Sequence, residues 1–329
     1  MKTRVTELFD IKYPILCGGI YRLANPKLCA AVSNAGGLGN ITAAWYREEE
    51  DFIAALHEVR ELTDKPFWVN VTILPGMNLS DEQYKFYLDT IAEEKVPAVE
   101  ISGVPLSRFH GGEYISKLKE AGVKLVHKVG SVRHAMHAEK VGYDAVLAAG
   151  VEEGGHPLNE NVATTVLTPR MSEAVDIPVI TTGGMADGRG LAAALCLGAE
   201  GIMMASRFIC THECEVHDNV RQELIKRQEN ETLLYGNTIG LQGRALNNET
   251  MKKVIEIEEK RGGLDEILPL ISGEHSNEIW KEGNMNIGAI AVGQSIGLIY
   301  DVVSCQELLD RIVVEAEEIL GRVKSKFDS

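Results

Sequence analysis

Eight short apolar runs punctuate the first two thirds of the chain, at residues 14–17, 37–41, 67–71, 98–101, 124–129, 145–149, 178–182 and 201–205. Most are rich in Val and Ile and unbroken by polar positions, as strands of a parallel sheet covered on both faces must be. Between them lie stretches with helical spacing of apolar residues, at 26–34, 48–62, 81–94, 113–121, 132–141, 165–174 and 187–197. Gly122 and Gly142 stand where a helix should stop before the next strand. Eight strand units with crossover helices predict an α/β fold, a closed (β/α)₈ barrel of the TIM type. An open flavodoxin-like or Rossmann sheet is the alternative.

The rhythm changes after the eighth run. Residues 220–228 and 251–260 read as charged helices, Arg261, Gly262 and Gly263 break the chain, and 274–284 is polar and loop-like. Residues 289–299 are apolar with spaced glycines, and 306–324 is an amphipathic, acidic helix. This predicts a barrel over 1–217, a smaller helical domain over the barrel mouth at 218–300, and a C-terminal helix at 301–329 that packs back on the barrel.

Charge narrows the partners. With 33 basic and 48 acidic residues the formal net charge is -15, which disfavours nucleic acid and anionic membranes. No stretch approaches the roughly 20 apolar residues of a membrane helix, and the N-terminus lacks the apolar core of a signal peptide. A cytoplasmic protein with reduced cysteines is the expectation, and the sequons at Asn70 and Asn78 carry no weight. A small-molecule substrate is expected, and a homodimer is left open.

Barrel enzymes build their sites at the C-terminal ends of the strands. Gly18, Gly19 and Ile20 follow the first strand; paired glycines there let the backbone approach a flat ligand, although a tight turn reads the same way. Gly183 and Gly184 follow the seventh strand, and Ala205 and Ser206 stand at the eighth. Barrels often hold a phosphate between these two loops, on backbone N–H groups and a helix N-terminus. After the sixth strand comes Gly150-Val-Glu-Glu-Gly154-Gly155-His156. A histidine among glycines at such an end is a general acid/base candidate, and a surface loop histidine is the alternative. His134 and His137 share a helical stretch, and His212 and His217 flank two glutamates, but the latter are five apart and do not form a zinc-type pair. No metal is expected. Gly37-Leu-Gly39 lacks the third glycine of a dinucleotide fingerprint.

Taken in order, Pro14-Ile-Leu-Cys-Gly18-Gly19, Ser33-Asn-Ala-Gly-Gly-Leu-Gly39, Gly150 through His156, Ile177-Pro-Val-Ile-Thr-Thr-Gly183-Gly184-Met185, and Leu197 through Phe208 resemble the nitronate monooxygenase (2-nitropropane dioxygenase) family. The FMN-dependent enoyl-acyl carrier protein reductase of the FabK type belongs to the same superfamily. Arg244-Ala-Leu-Asn-Asn248 and Gly293-Gln-Ser-Ile extend the resemblance to nearly the whole chain. It implies non-covalent FMN, with its phosphate on Gly183, Gly184, Ala205 and Ser206. Its ring would lie near Gly18, Gly19, Ile20 and Asn70, with Lys128 and Gly155 close by. It implies His156 as the catalytic histidine, acting on an alkyl nitronate with dioxygen as acceptor. The alternative within the fold is reduction of an enoyl thioester or quinone, with NADH or NADPH as electron donor. A flavin-binding barrel without catalysis is the reading from another class.

The sequence departs from the family's usual pattern at three places. Pro157 and Leu158 follow the histidine, Ala205 and Ser206 replace the usual Gly-Thr, and Ala149 stands where a glutamine is common. These changes touch the substrate side more than the phosphate side. An acidic surface also disfavours docking an acidic carrier protein.

Overall fold

The computed structural model describes residues 1–74 and 79–327; the sequon at Asn78 lies outside them. The chain opens with α1 (Arg4–Phe9), capped by the Thr3 hydroxyl, which accepts from the Thr6 N–H. Strands and helices then alternate: β1 (Ile15–Cys17), α2 (Pro26–Asn34), β2 (Gly39–Thr42), α3 (Glu49–Leu62), β3 (Phe67–Ile73), α4 (Asp81–Glu93), β4 (Ala98–Gly103), α5 (Glu113–Glu120), β5 (Lys124–Val129), α6 (Val132–Val141), β6 (Ala145–Ala149), α7 (Thr164–Ser172), β7 (Val179–Thr182), α8 (Gly188–Cys196) and β8 (Gly201–Met204).

Neighbouring strands pair in parallel from β2 through β8, and β8 pairs with β1. The ring closes where Leu16 bridges Leu38 and the Cys17 N–H donates to the Leu38 carbonyl at 2.9 Å. The fold is therefore a TIM barrel and not an open sheet. The two-residue period of the strands divides its cores. In β6, Ala145 and Leu147 join an inner cluster with Leu16, Trp68, Val126, Ile180 and Met203. Val146 and Ala148 of the same strand pack outward with α4, α6 and α7. Val5 and Phe9 of α1 belong to the inner cluster, so α1 plugs the N-terminal end of the barrel. The buried Trp68 indole satisfies its polar edge by donating to the Cys17 carbonyl at 2.8 Å.

Beyond β8 come α9 (Ser206–Ile209), α10 (Asp218–Leu224), the strands β9 (Thr232–Tyr235) and β10 (Gly243–Leu246), α11 (Glu249–Glu259), α12 (Leu264–Ile271), α13 (Ser276–Trp280) and α14 (Cys305–Ser325). The antiparallel hairpin of β9 and β10 is an addition to the expected helices. Its two four-residue runs carry no clear alternation, so periodicity did not reveal them. Residues 274–284 read as loop, yet they contain α13, whose Ile279 and Trp280 are buried. Helix α12 also went unpredicted, because it follows the glycine break and contains Pro269.

Specific polar ties bind this region to the barrel. The buried Arg207 guanidinium pairs with Asp301 at 2.7 Å and also donates to the Cys210 carbonyl, joining α9 to the segment before α14. Glu315 of α14 accepts from the Gly188 N–H at 2.8 Å, at the start of α8. Asn248 caps α11 by accepting from the Met251 N–H, while its amide donates to the carbonyls of Met285 and Gly288. Among the described residues no helix is long and apolar enough to cross a membrane.

Candidate active site

The C-terminal ends of the strands open into a cavity of about 370 Å³, roofed by the elements after β8. That volume lies within the roughly 300–1,000 Å³ of cofactor and small-molecule sites. Gly18, Gly19, Ile20, Asn70, Lys128, Gly155, His156, Gly183, Gly184, Ala205 and Ser206 all line it. The structure thus brings together the candidate catalytic histidine and all ten candidate cofactor-binding residues. His134, His137, His212 and His217 do not join them. His134 faces Glu160 at 3.3 Å, His137 meets the Ser107 hydroxyl at 2.8 Å, and His217 accepts from the Asn219 N–H at the start of α10. Among the described residues no group of three or more His, Cys, Asp or Glu side chains is placed to hold a metal ion.

The loop after β6 is the centre of the site. Here the chain passes close beneath the roof: a Cβ on Gly154 would stand 2.4 Å from the Val292 carbonyl carbon. Gly155 exchanges two backbone bonds with Arg244 of β10, at 2.9 and 2.7 Å. The Gln294 N–H donates to the Glu152 carbonyl, and the Gly293 N–H donates to the Ser206 hydroxyl at 3.0 Å. The Arg244 and Gly293 motifs noted in the sequence are therefore staples that hold the roof on this loop. Buried Pro157 anchors the chain immediately after His156.

His156 lines the cavity and is exposed to it, with the Lys128 ammonium bonded to its carbonyl. Burial first, and the Lys128 ammonium second, lower its pKa from 6.5 to about 4. Water in the cavity relieves part of that burial, so the downward direction is the firm result: the imidazole is neutral at pH 7. Lys128 projects from β5 and donates to Glu153 at 2.6 Å and to the His156 carbonyl at 3.3 Å. Burial works against the Lys128 charge, but Glu153 and Glu100 outweigh it and raise the pKa. Burial also raises the Glu153 pKa against the pull of Lys128, with Glu100 adding to the rise.

Glu100 is fully buried on β4, where the Asn70 amide and the Ser102 hydroxyl both donate to its carboxylate. Sequence reasoning passed over Glu100 and Glu153. One signal was there to be read: a glutamate inside the apolar run of a barrel strand must have a polar partner or a ligand.

At the other end of the cavity, Gly183 has φ +95° and Gly184 φ +75°. A side chain on Gly183 would press on the Gly150 carbonyl and the Thr164 hydroxyl, at 3.0 and 3.1 Å, and not on the cavity. The glycine is thus demanded by the turn itself. Asp187 caps α8 by accepting from the N–H groups of Arg189 and Gly190. Leu74, Leu79 and Tyr84, from the loop and helix after β3, and Leu268, Ile271 and Trp280, from the roof, give the cavity an apolar wall. None of these was read from the sequence as a site residue, because no local motif marks a side chain contributed by a distant roof element.

The model of the family described as nitronate monooxygenase matches residues 2–315. A (3aS,4S,5R,7aS)-5-hydroxy-7a-methyl-1-oxo-octahydro-1H-indene-4-carboxyl-CoA dehydrogenase of Rhodococcus jostii is 33% identical, over 96% of each chain. A probable nitronate monooxygenase of Staphylococcus saprophyticus is 31% identical, over 98% of this chain and 99% of that one. The solved structure of FabK from Thermotoga maritima superposes with a TM-score of 0.90 at 35% identity, over 99% of each chain. The barrel and these matches over nearly the full length lead to one assignment: the chain belongs to the nitronate monooxygenase family and is an oxidoreductase.

Proposed function

We propose that this protein is an FMN-dependent oxidoreductase in which His156 handles the proton of a carbon acid. The observation that carries the reading is the meeting, in one cavity, of a neutral histidine, a buried lysine and two glycine-lined strand ends. The fit to a bound flavin is supported at two positions. A Cβ on Gly155 would meet only Ala291, at 4.0 Å, and one on Gly184 would meet nothing closer than 3.9 Å. The space beside both backbones is free for a ligand. The N–H groups of Gly183, Gly184, Ala205 and Ser206 would hold the phosphate, and Gly18, Gly19, Ile20, Asn70, Lys128 and Gly155 would surround the ring. FMN, when bound non-covalently there, supplies a two-electron acceptor or donor.

The chain's own groups supply the rest. Neutral Nδ1 or Nε2 of His156 can take a proton from the carbon beside an electron-withdrawing group, or hold the resulting anion in place. The Lys128 ammonium lends positive potential to the cavity where that anion forms. The elements after β8 roof the cavity. The first reading of the substrate is a nitroalkane or its alkyl nitronate, with dioxygen as acceptor; His156 would take the proton from the nitroalkane, and on the nitronate, which has already lost it, would only orient the anion.

The second reading is an acyl thioester, oxidised or reduced, with NADH or NADPH as donor in the reductive direction. Two observations favour it. The apolar wall of Leu74, Leu79, Tyr84, Leu268, Ile271 and Trp280 suits a bulky ring or chain, and the Rhodococcus jostii relative is named for an acyl-CoA substrate.

Anaerobic stopped-flow mixing of the flavin-loaded protein separates the two. Rapid bleaching of flavin absorbance by an alkyl nitronate, with none by NADH or NADPH, is the expected result. Bleaching by a nicotinamide alone overturns the nitronate reading in favour of the thioester or quinone reductase. A preparation that takes up no flavin overturns both.

A further inference from the structure

The loop that carries His156 has little to hold it from within. Gly154 and Gly155 separate His156 from Glu153 and bring no side chains. One ammonium spans the gap: Lys128 Nζ bonds the Glu153 carboxylate on one side of the glycines and the His156 carbonyl on the other. The pair is well shielded, with the Lys128 and Glu153 side chains 10% and 12% exposed. Only one Glu153 oxygen is used; the second, Oε2, is buried and has no hydrogen-bond partner. A pair serving stability alone would be expected to satisfy both oxygens, since a buried, unbonded carboxylate oxygen costs stability.

We propose that Lys128 and Glu153 form a clamp that fixes both the place and the charge state of His156. Lys128 acts by its positive charge, and Glu153 is a positioning residue that holds Lys128. The proposal rests on His156 being the acid/base group.

The other charged groups packed around the loop have partners of their own, and Arg47 also lines the cavity. Glu100 of β4 takes hydrogen bonds from Asn70 and Ser102. Glu152, on the loop itself, takes them from the Thr164 N–H and hydroxyl. Arg244 of β10 donates to the Val151 carbonyl and the Thr232 hydroxyl. Glu160, further along the loop, faces His134 of α6. Lys128, which bonds the His156 carbonyl, acts against protonation of the imidazole, second to burial.

The clamp makes a prediction of sign. Removing the cation should make His156 easier to protonate, and removing the carboxylate should make it harder. The test is an NMR titration of the His156 Cε1–H signal in the full-length, flavin-loaded protein, assigned by its loss in His156→Ala. Lys128→Met should raise the His156 pKa by about one to two units. Lys128→Gln serves if Lys128→Met does not fold. Glu153→Gln should lower it, and Glu153→Asp should restore most of the original value. Shifts in the same direction for the lysine and glutamate variants, or no shift in either, overturn the clamp. If the shifts appear as expected while His156→Ala turns over normally, the clamp stands and the acid/base reading falls.

Discussion

At the scale of single residues, the proposed chemistry turns on one side chain, His156, whose surroundings bias its charge. Because its surroundings lower the His156 pKa from the ordinary histidine value, the imidazole stays in its basic form at neutral pH. Activity that needs this base should hold from neutral pH down to mildly acidic pH and fall only as pH approaches the lowered value. His156→Ala should leave flavin bound and cut turnover by roughly 10²–10⁴-fold, the usual loss when an acid/base group is removed. The acid limb of kcat/KM should vanish with it. Turnover and a pH profile unchanged in His156→Ala would remove the residue from the chemistry.

At the scale of elements, the turn after β7 shows how local geometry serves a distant function. Gly183 needs a left-handed backbone, and a side chain there presses into Gly150 and Thr164 at the loop after β6. Gly183→Val should therefore disturb two strand ends at once, costing about 1–3 kcal/mol of strain. It should weaken FMN retention by moving the Gly184 and Ser206 cradle, not by filling it. The ratio of flavin to protein absorbance after gel filtration reads this directly, and full occupancy would count against the phosphate site. The eight strands and the helices between them were legible because the parallel barrel buries both faces of each strand, as in the wholly apolar Ala145–Ala149. That the glycine loops and His156 meet in one cavity was legible because they follow strand ends on the same face of the barrel. The hairpin at Thr232–Tyr235 and Gly243–Leu246 was not, because its form depends on pairing with a segment eight residues on and on Arg244 meeting Gly155. Glu153 lay in plain view beside His156, but its role depends on Lys128, which reaches it from a strand 25 residues earlier in the chain.

At the scale of the whole molecule, stability in acid should be governed by a buried histidine that stands next to Lys128 in the chain but does not line the cavity. His127 is 4% exposed on β5, stacked on Tyr143 with ring centroids 5.1 Å apart, and its Nδ1 lies 2.8 Å from the Ile101 carbonyl. Burial lowers its pKa from 6.5 to about 4, partly opposed by the bond to Ile101. The folded protein therefore binds fewer protons than the unfolded chain between these two values. Its contribution to stability is fully present above the unfolded pKa and is lost as pH falls through this window, amounting to about 3 kcal/mol. The net charge of -15 works the other way, since partial protonation of surface carboxylates relieves self-repulsion. A comparison of variants separates the two effects. His127→Gln should be less stable than the parent protein at pH 8, where the stacked ring is neutral and well packed. The gap between them, measured by urea unfolding at a series of pH values, should shrink steadily from pH 6.5 towards pH 4, because only the parent carries the buried imidazole. The surface term is common to both and cancels. A gap that stays constant across that range would show that His127 does not couple protonation to unfolding, and the acid sensitivity would then have to come from the carboxylates.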